Sequence, residues 1–77
     1  MIEVWKIYAI TATGEKSYFG FETLKSEASK LMRRVWDGRK ELGFSDYGHT
    51  FNNSEILDQV TAEKVNIKWS EFYNQRN

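Results

Sequence analysis

His49 is the only histidine of this 77-residue chain and the side chain with the widest chemical range. It lies in the segment Asp46-Tyr47-Gly48-His49-Thr50, in which Asp46 could orient the ring for proton transfer or for contact with a metal ion. A zinc site needs roughly three or four protein ligands, and the chain has no cysteine to complete one. No acidic pair lies in a motif that supports acid–base catalysis. We therefore predict that the protein is not an enzyme, binds no metal or cofactor, and uses His49 only for hydrogen bonds.

The composition is that of a small globular domain, with 40% hydrophobic and 29% charged residues. Basic and acidic residues balance at 11 each, so no net charge attracts the chain to nucleic acid or to a membrane surface. No stretch approaches the roughly 18 apolar residues of a membrane helix. Glu3 and Lys6 interrupt the opening segment, which is atypical of a secretion signal. We expect one domain over residues 1–77, located in the cytoplasm and without membrane contact.

The first part of the chain predicts a β-hairpin. Residues 2–11 and 16–22 alternate in the manner of strands, and Gly14 can adopt the left-handed conformation that ends a three-residue hairpin loop. The register that follows pairs Ile7 with Phe19, Trp5 with Phe21, Tyr8 with Tyr18 and Lys6 with Gly20. In this register the inward side chains are Trp5, Ile7, Phe19 and Phe21, and the outward ones are Lys6, Tyr8, Ile10 and Tyr18.

A helix is predicted after the hairpin, because apolar residues recur there at helical spacing. Its apolar stripe consists of Leu24, Ala28, Leu31, Met32, Val35 and Trp36. Thr23 suits the N-cap position, since its hydroxyl can accept a hydrogen bond from the first turn. We expect the helix to end near Asp37, with Gly38 in the left-handed conformation, although Leu42 also fits a longer helix.

Residues 43–60 allow two interpretations. Residues 47–51 and 55–60 can form a second hairpin, because Asn52-Asn53 suits a tight turn with positive φ. Ser54 can instead cap a short helix with its apolar residues on one side. We favour the hairpin.

The C-terminal part of the chain carries two competing periodicities. Thr61 suits the N-cap of a final helix, whose apolar face would consist of Ala62, Val65, Trp69, Phe72 and Tyr73. Residues 65–69 also alternate as a strand does. We favour the helix, since Phe72 and Tyr73 extend the helical pattern.

Two surfaces are candidates for binding. Residues 25–40 contain six basic and two acidic residues, and Lys30, Arg33 and Arg34 project away from the apolar stripe. Such a basic helix can contact phosphates or an acidic protein surface. The second surface is the outer face of the hairpin, where Lys6, Tyr8 and Tyr18 should cluster and could contact a partner or stack on bases.

These patterns predict an α+β domain in which two helices pack on one face of a small antiparallel sheet, in the order ββα(ββ)α. We expect it to bind another protein or a second copy of itself through some of Lys6, Tyr8, Tyr18, Lys30, Arg33 and Arg34. Nucleic-acid binding through the basic helix and the hairpin tyrosines is the alternative. In size and style alone, the chain resembles accessory proteins of phages and mobile elements, some of which inhibit host enzymes.

Overall fold

A computed structural model describes residues 1–42 and 57–76 of the chain. The described elements are β1 (Ile2–Thr11), β2 (Lys16–Glu22), α1 (Lys25–Asp37), β3 (Leu57–Ile67) and α2 (Trp69–Arg76). The strands form one antiparallel sheet in the order β2-β1-β3. The predicted α+β class, with a small antiparallel sheet and two helices, is confirmed. His49 and the proposed strand over 47–51 lie outside the described residues.

The loop between β1 and β2 has the predicted form. Gly14 adopts a φ of 94° and donates its N–H to the carbonyl of Thr11 at 2.9 Å. Thr11 donates its own N–H to the Glu15 carbonyl at 3.0 Å, and its hydroxyl oxygen accepts the Glu15 N–H at 3.1 Å. The glycine carries the positive φ without a Cβ clash, so the turn closes on the predicted Thr11–Glu15 pair.

A β-bulge in β2 changes the register away from this loop. Tyr8 lies opposite Tyr18 as predicted, but Lys6 lies opposite Phe21 and Trp5 opposite Glu22. The predicted pairs Lys6–Gly20 and Trp5–Phe21 are therefore wrong. The bulge places one extra residue in β2 at Gly20, whose φ of 109° is a conformation that glycine adopts readily. The side chain of Phe21 consequently points to the same side of the sheet as Tyr18.

The C-terminal part of the chain contains both of the competing elements, one after the other. β3 pairs with β1 in a regular antiparallel register from Ile2–Ile67 to Ile10–Gln59. The predicted helix from Thr61 is therefore wrong over its first half, and Thr61 is not an N-cap. Helix α2 begins only at Trp69.

The two helices pack on opposite faces of the sheet, so the prediction that they share one face does not hold. Side chains alternate along β1, and Ala9 on one face packs in a cluster with Val35 of α1. Val4, on the other face, packs with Phe21 and with Phe72 of α2. The bulge at Gly20 is one physical reason, because it turns Phe21 towards α2. We call these surfaces the α1 face and the α2 face.

Helix α1 ends at Asp37 as predicted, but neither end is capped as expected. Leu24 occupies the N-cap position and makes no side-chain capping bond, so Thr23 is not the cap. Gly38 has a φ of −93°, which is not left-handed, and its N–H donates to the Arg34 carbonyl at 2.9 Å.

The apolar stripe of α1 is buried at its centre and exposed at its two ends. Ala28 and Val35 are buried, and Leu31 packs against the cluster that contains Val35. Leu24 and Trp36 remain exposed. The stripe therefore predicts the correct side of the helix but overestimates how much of it the three strands can cover.

Candidate binding surfaces

Four side chains of the hairpin meet on the α2 face. The hairpin cluster consists of Lys6, Tyr8, Lys16 and Tyr18. The two tyrosine rings lie directly opposite each other across the strands, with centroids 5.5 Å apart. Lys16 Nζ lies 4.4 Å from the centroid of the Tyr8 ring, and Lys6 Nζ lies 5.5 Å from that of Tyr18. The structure thus brings together Lys6, Tyr8 and Tyr18, which sequence reasoning placed on one surface.

Each lysine of the hairpin cluster has an acidic partner from another element. Lys6 Nζ lies 3.0 Å from Glu71 Oε2 in α2, and Lys16 Nζ lies 2.7 Å from Glu63 Oε1 in β3. The hydrogen bond to Glu71 raises the pKa of Lys6 above its ordinary value, although partial burial opposes this. A hydrogen bond to Glu63 likewise raises the pKa of Lys16. Both lysines are charged at neutral pH, and carboxylates compensate that charge locally.

Tyr18 connects the hairpin cluster to α2 through its phenol. The hydroxyl donates a hydrogen bond to Gln75 Oε1. Burial raises the pKa of Tyr18, and the nearby charge of Glu71 adds to this, while the charge of Lys6 acts in the opposite direction. The phenol therefore keeps its proton at neutral pH and can act as the donor to Gln75.

Helix α2 carries a second aromatic surface on the flank that does not face the sheet. Trp69 and Tyr73 are 48% and 58% exposed, and their rings stack with centroids 6.1 Å apart. Phe72 lies between this flank and the sheet, with its ring 5.5 Å from Phe21 and in edge contact with both exposed rings. We call Trp69 and Tyr73 the aromatic pair.

Sequence reasoning missed the aromatic pair because it assigned Trp69, Phe72 and Tyr73 to one buried helix face. Only Phe72 of these three packs into a core cluster. The signal was the polar residues at 71 and 75, which share the Phe72 side of a helix that begins at 69. Once those positions contact the sheet, 69 and 73 are turned away from it.

The basic candidates lie on the other side of the sheet. Lys30, Arg33 and Arg34 are exposed on α1 and border a groove of about 360 Å³ together with Glu27 and Asp37. Lys30 Nζ lies 3.4 Å from Glu27 Oε1. The structure therefore brings these three basic residues together, but it separates them from Lys6, Tyr8 and Tyr18 by the thickness of the sheet.

Neither a metal cluster nor a membrane-spanning helix occurs within residues 1–42 and 57–76. No three histidine or acidic side chains of these residues are grouped so that they could hold an ion. Neither α1 nor α2 is long and apolar enough to cross a bilayer.

No protein-family model matches the chain, and no curated protein or solved structure is significantly similar to it. Function therefore has to be inferred from the chemistry of the surfaces.

Proposed function

We propose that the protein is a non-catalytic binding module that contacts another protein through the aromatic pair of α2. The observation that carries this proposal is the exposure of Trp69 and Tyr73, which stack on each other outside the core. Tryptophan and tyrosine dominate the binding energy of many protein interfaces, since they bury a large area while losing little side-chain freedom. The pair is also held from beneath by Phe72, so little ordering is needed on binding.

Lys6, Tyr8 and Tyr18 contribute less to direct contact in this proposal than the sequence predicted. Both lysines of the hairpin cluster already have carboxylate partners, and the Tyr18 hydroxyl already has an acceptor. A partner would have to break these interactions to use them. Tyr18 is nevertheless 43% exposed and can form part of a polar rim beside α2.

Nucleic-acid binding stays the alternative, and the geometry favours it less. A nucleic-acid strand that contacts Lys30, Arg33 and Arg34 would run along the outside of α1, whereas the hairpin tyrosines lie on the α2 face. One single strand cannot contact both surfaces without passing around the sheet. Glu27 and Asp37 also border the basic groove and weaken its attraction for phosphates.

The absence of enzymatic activity, the cytoplasmic location and an accessory role in a phage or mobile element stay predictions. The last of these rests on chain length and composition alone.

The proposal is tested with a double variant, Trp69→Ala with Tyr73→Ala, against the control Trp36→Ala. Trp36 is also exposed but lies on α1, so its removal matches the loss of an exposed tryptophan without touching α2. Wild type and both variants are immobilised and exposed to lysate of the source cells, and bound proteins are quantified by mass spectrometry. We expect a partner retained by wild type and Trp36→Ala to fall about tenfold or more with the double variant.

Equal retention by all three proteins would reject the aromatic pair as the binding surface. Sedimentation velocity at several protein concentrations identifies self-association, which the double variant should abolish if a second copy is the partner. An oligonucleotide titration followed by tryptophan fluorescence tests the alternative. Binding that falls steeply with salt and is abolished by Arg33→Glu with Arg34→Glu would establish nucleic acid as the ligand instead.

A further inference from the structure

We infer that Lys6 and Tyr18 are positioning residues, which fix α2 on the sheet and thereby set the direction in which the aromatic pair faces. The functional consequence rests on the proposed function of that pair. The sequence analysis predicted that both residues contact a partner directly. Their partners in the structure, Glu71 and Gln75, instead belong to the same helix as the pair.

The contacts that attach α2 to the hairpin come from one side of the helix. Glu71 pairs with Lys6, Phe72 packs against Phe21, and Gln75 accepts from Tyr18. Positions 71, 72 and 75 are neighbours on a helix surface, since side chains three and four residues apart lie on one face. Positions 69 and 73 form the adjacent flank, so any rotation of the helix that weakens the first set also turns the second.

Helix α2 depends on these contacts because it is short. Its span of 8 residues is below the length at which an isolated helix is stable in water, so tertiary contacts must hold it. The Phe72–Phe21 contact attaches the helix at one point. The ion pair and the phenol hydrogen bond attach two further points, which together define its rotation.

The hairpin cluster contains its own control for this inference. Lys16 has the same chemistry as Lys6, with a tyrosine ring beneath its ammonium group and a glutamate partner. That partner is Glu63 of β3, so Lys16 does not attach α2. A comparison of the two lysines therefore separates the positioning of α2 from the general effect of losing an ion pair on this face.

The test measures amide hydrogen exchange in Lys6→Met and Lys16→Met. Methionine keeps most of the apolar stem and removes the charge. We expect exchange within residues 72–75 to accelerate about three- to tenfold in Lys6→Met and to stay unchanged in Lys16→Met, because α2 opens locally while the sheet stays folded. Tyr18→Phe should have the same effect as Lys6→Met, with Tyr8→Phe as its control.

A charge-reversed double variant, Lys6→Glu with Glu71→Lys, should restore slow amide exchange in α2, because it re-forms the ion pair with the two charges exchanged. If Lys6 served only as a packing contact, the double variant would not restore slow exchange. Unchanged α2 exchange in Lys6→Met, or equal acceleration in both lysine variants and throughout the sheet, would overturn the inference. This measurement uses no partner. Failure of the aromatic-pair variants to lose a partner would therefore reject the proposed function and leave the positioning result standing.

Discussion

The α1 face and the α2 face of the sheet differ in the kinds of side chains that cover them. On the α1 face, Ile7 and Ala9 are fully buried, and Val35 of a 13-residue helix packs in a cluster with Ala9. On the α2 face, Phe72 of an 8-residue helix packs on a buried cluster of Val4, Phe21 and Ile67, and ion pairs, a phenol and half-exposed rings lie beside that cluster. The comparison indicates that apolar packing under a longer helix covers the α1 face, while the α2 face combines a buried apolar cluster with polar and aromatic groups that stay accessible for contact.

The largest expected effect is on the α1 face, where Ile7→Ala should lower the free energy of unfolding by about 2–5 kcal/mol. Ile7 has no exposed surface, so the variant loses the transfer free energy of the side chain and leaves a cavity. Urea unfolding followed by circular dichroism measures the loss. Ile10→Ala is the matched control in the same strand, because Ile10 points to the α2 face and is only half-buried. Equal losses for the two variants would break the comparison of the two faces.

An intermediate effect is expected where α2 meets the sheet. Phe72→Ala should cost about 2 kcal/mol, because the ring packs on Phe21 and on the cluster around Val4. Tyr73→Ala should cost less than about 0.5 kcal/mol, since that side chain is mostly exposed. The same urea experiment distinguishes the two. A larger loss for Tyr73→Ala would mean that the aromatic pair belongs to the core and would remove the basis of the proposed function.

A substitution at the bulge tests its geometry, because the direction of the change in stability depends on the φ of Gly20. Gly20→Ala should destabilise the protein by about 1 kcal/mol, because alanine is strained at a φ of 109° even though no atom would obstruct its Cβ. Gly14→Ala, at a φ of 94° in the loop, is the control with a similar backbone cost. If alanine stabilised the protein at Gly20, as it does at ordinary φ values, the bulge and the resulting placement of Phe21 would be wrong.

The smallest expected effect is a loss of stability in alkali. Burial raises the pKa of Tyr18, and the hydrogen bond to Glu71 raises the pKa of Lys6. Both groups bind their proton more tightly in the folded state than in the unfolded chain. Their contribution is therefore present below about pH 10 and is lost as pH rises through the folded-state pKa values.

Unfolding in urea at several pH values between 9 and 11 tests this dependence. Lys6→Met should show a flatter decline than wild type. Lys16→Met should flatten the decline less, since the Lys16–Glu63 pair is 45% and 44% exposed, compared with 22% and 37% for Lys6–Glu71. Parallel curves for wild type and Lys6→Met would show that the ion pair with α2 contributes nothing.

The hairpin shows what a sequence pattern predicts and where it stops. The left-handed glycine at 14 fixed the loop, and alternation then placed Tyr8 opposite Tyr18 correctly. The prediction failed beyond Tyr18 because it kept Phe19 and Phe21 on the same face as Trp5 and Ile7. An isolated glycine inside a strand is a signal of a bulge, and Gly20 carried that signal.

The C-terminal part failed for a different reason. Strand and helix patterns overlap over residues 65–69, and a single residue, Lys68, joins the two elements without a glycine or proline to mark the boundary. A choice between one helix and one strand could therefore not give the correct result. The position of the aromatic pair depends on this boundary, so the pair was missed. The meeting of Lys6, Tyr8 and Tyr18 depends only on short-range alternation and was predicted, although Lys16 was not named with them.

Because a single residue connects β3 to α2, the position of α2 also depends on the register of β3 against β1. A shift of β3 by two residues along β1 would keep every side chain on its own face and would move α2 by about 7 Å. Glu71 would then be out of reach of Lys6, now 3.0 Å away, and Gln75 out of reach of Tyr18. The contacts of α2 with the hairpin therefore stabilise only one of the registers that strand alternation alone would allow.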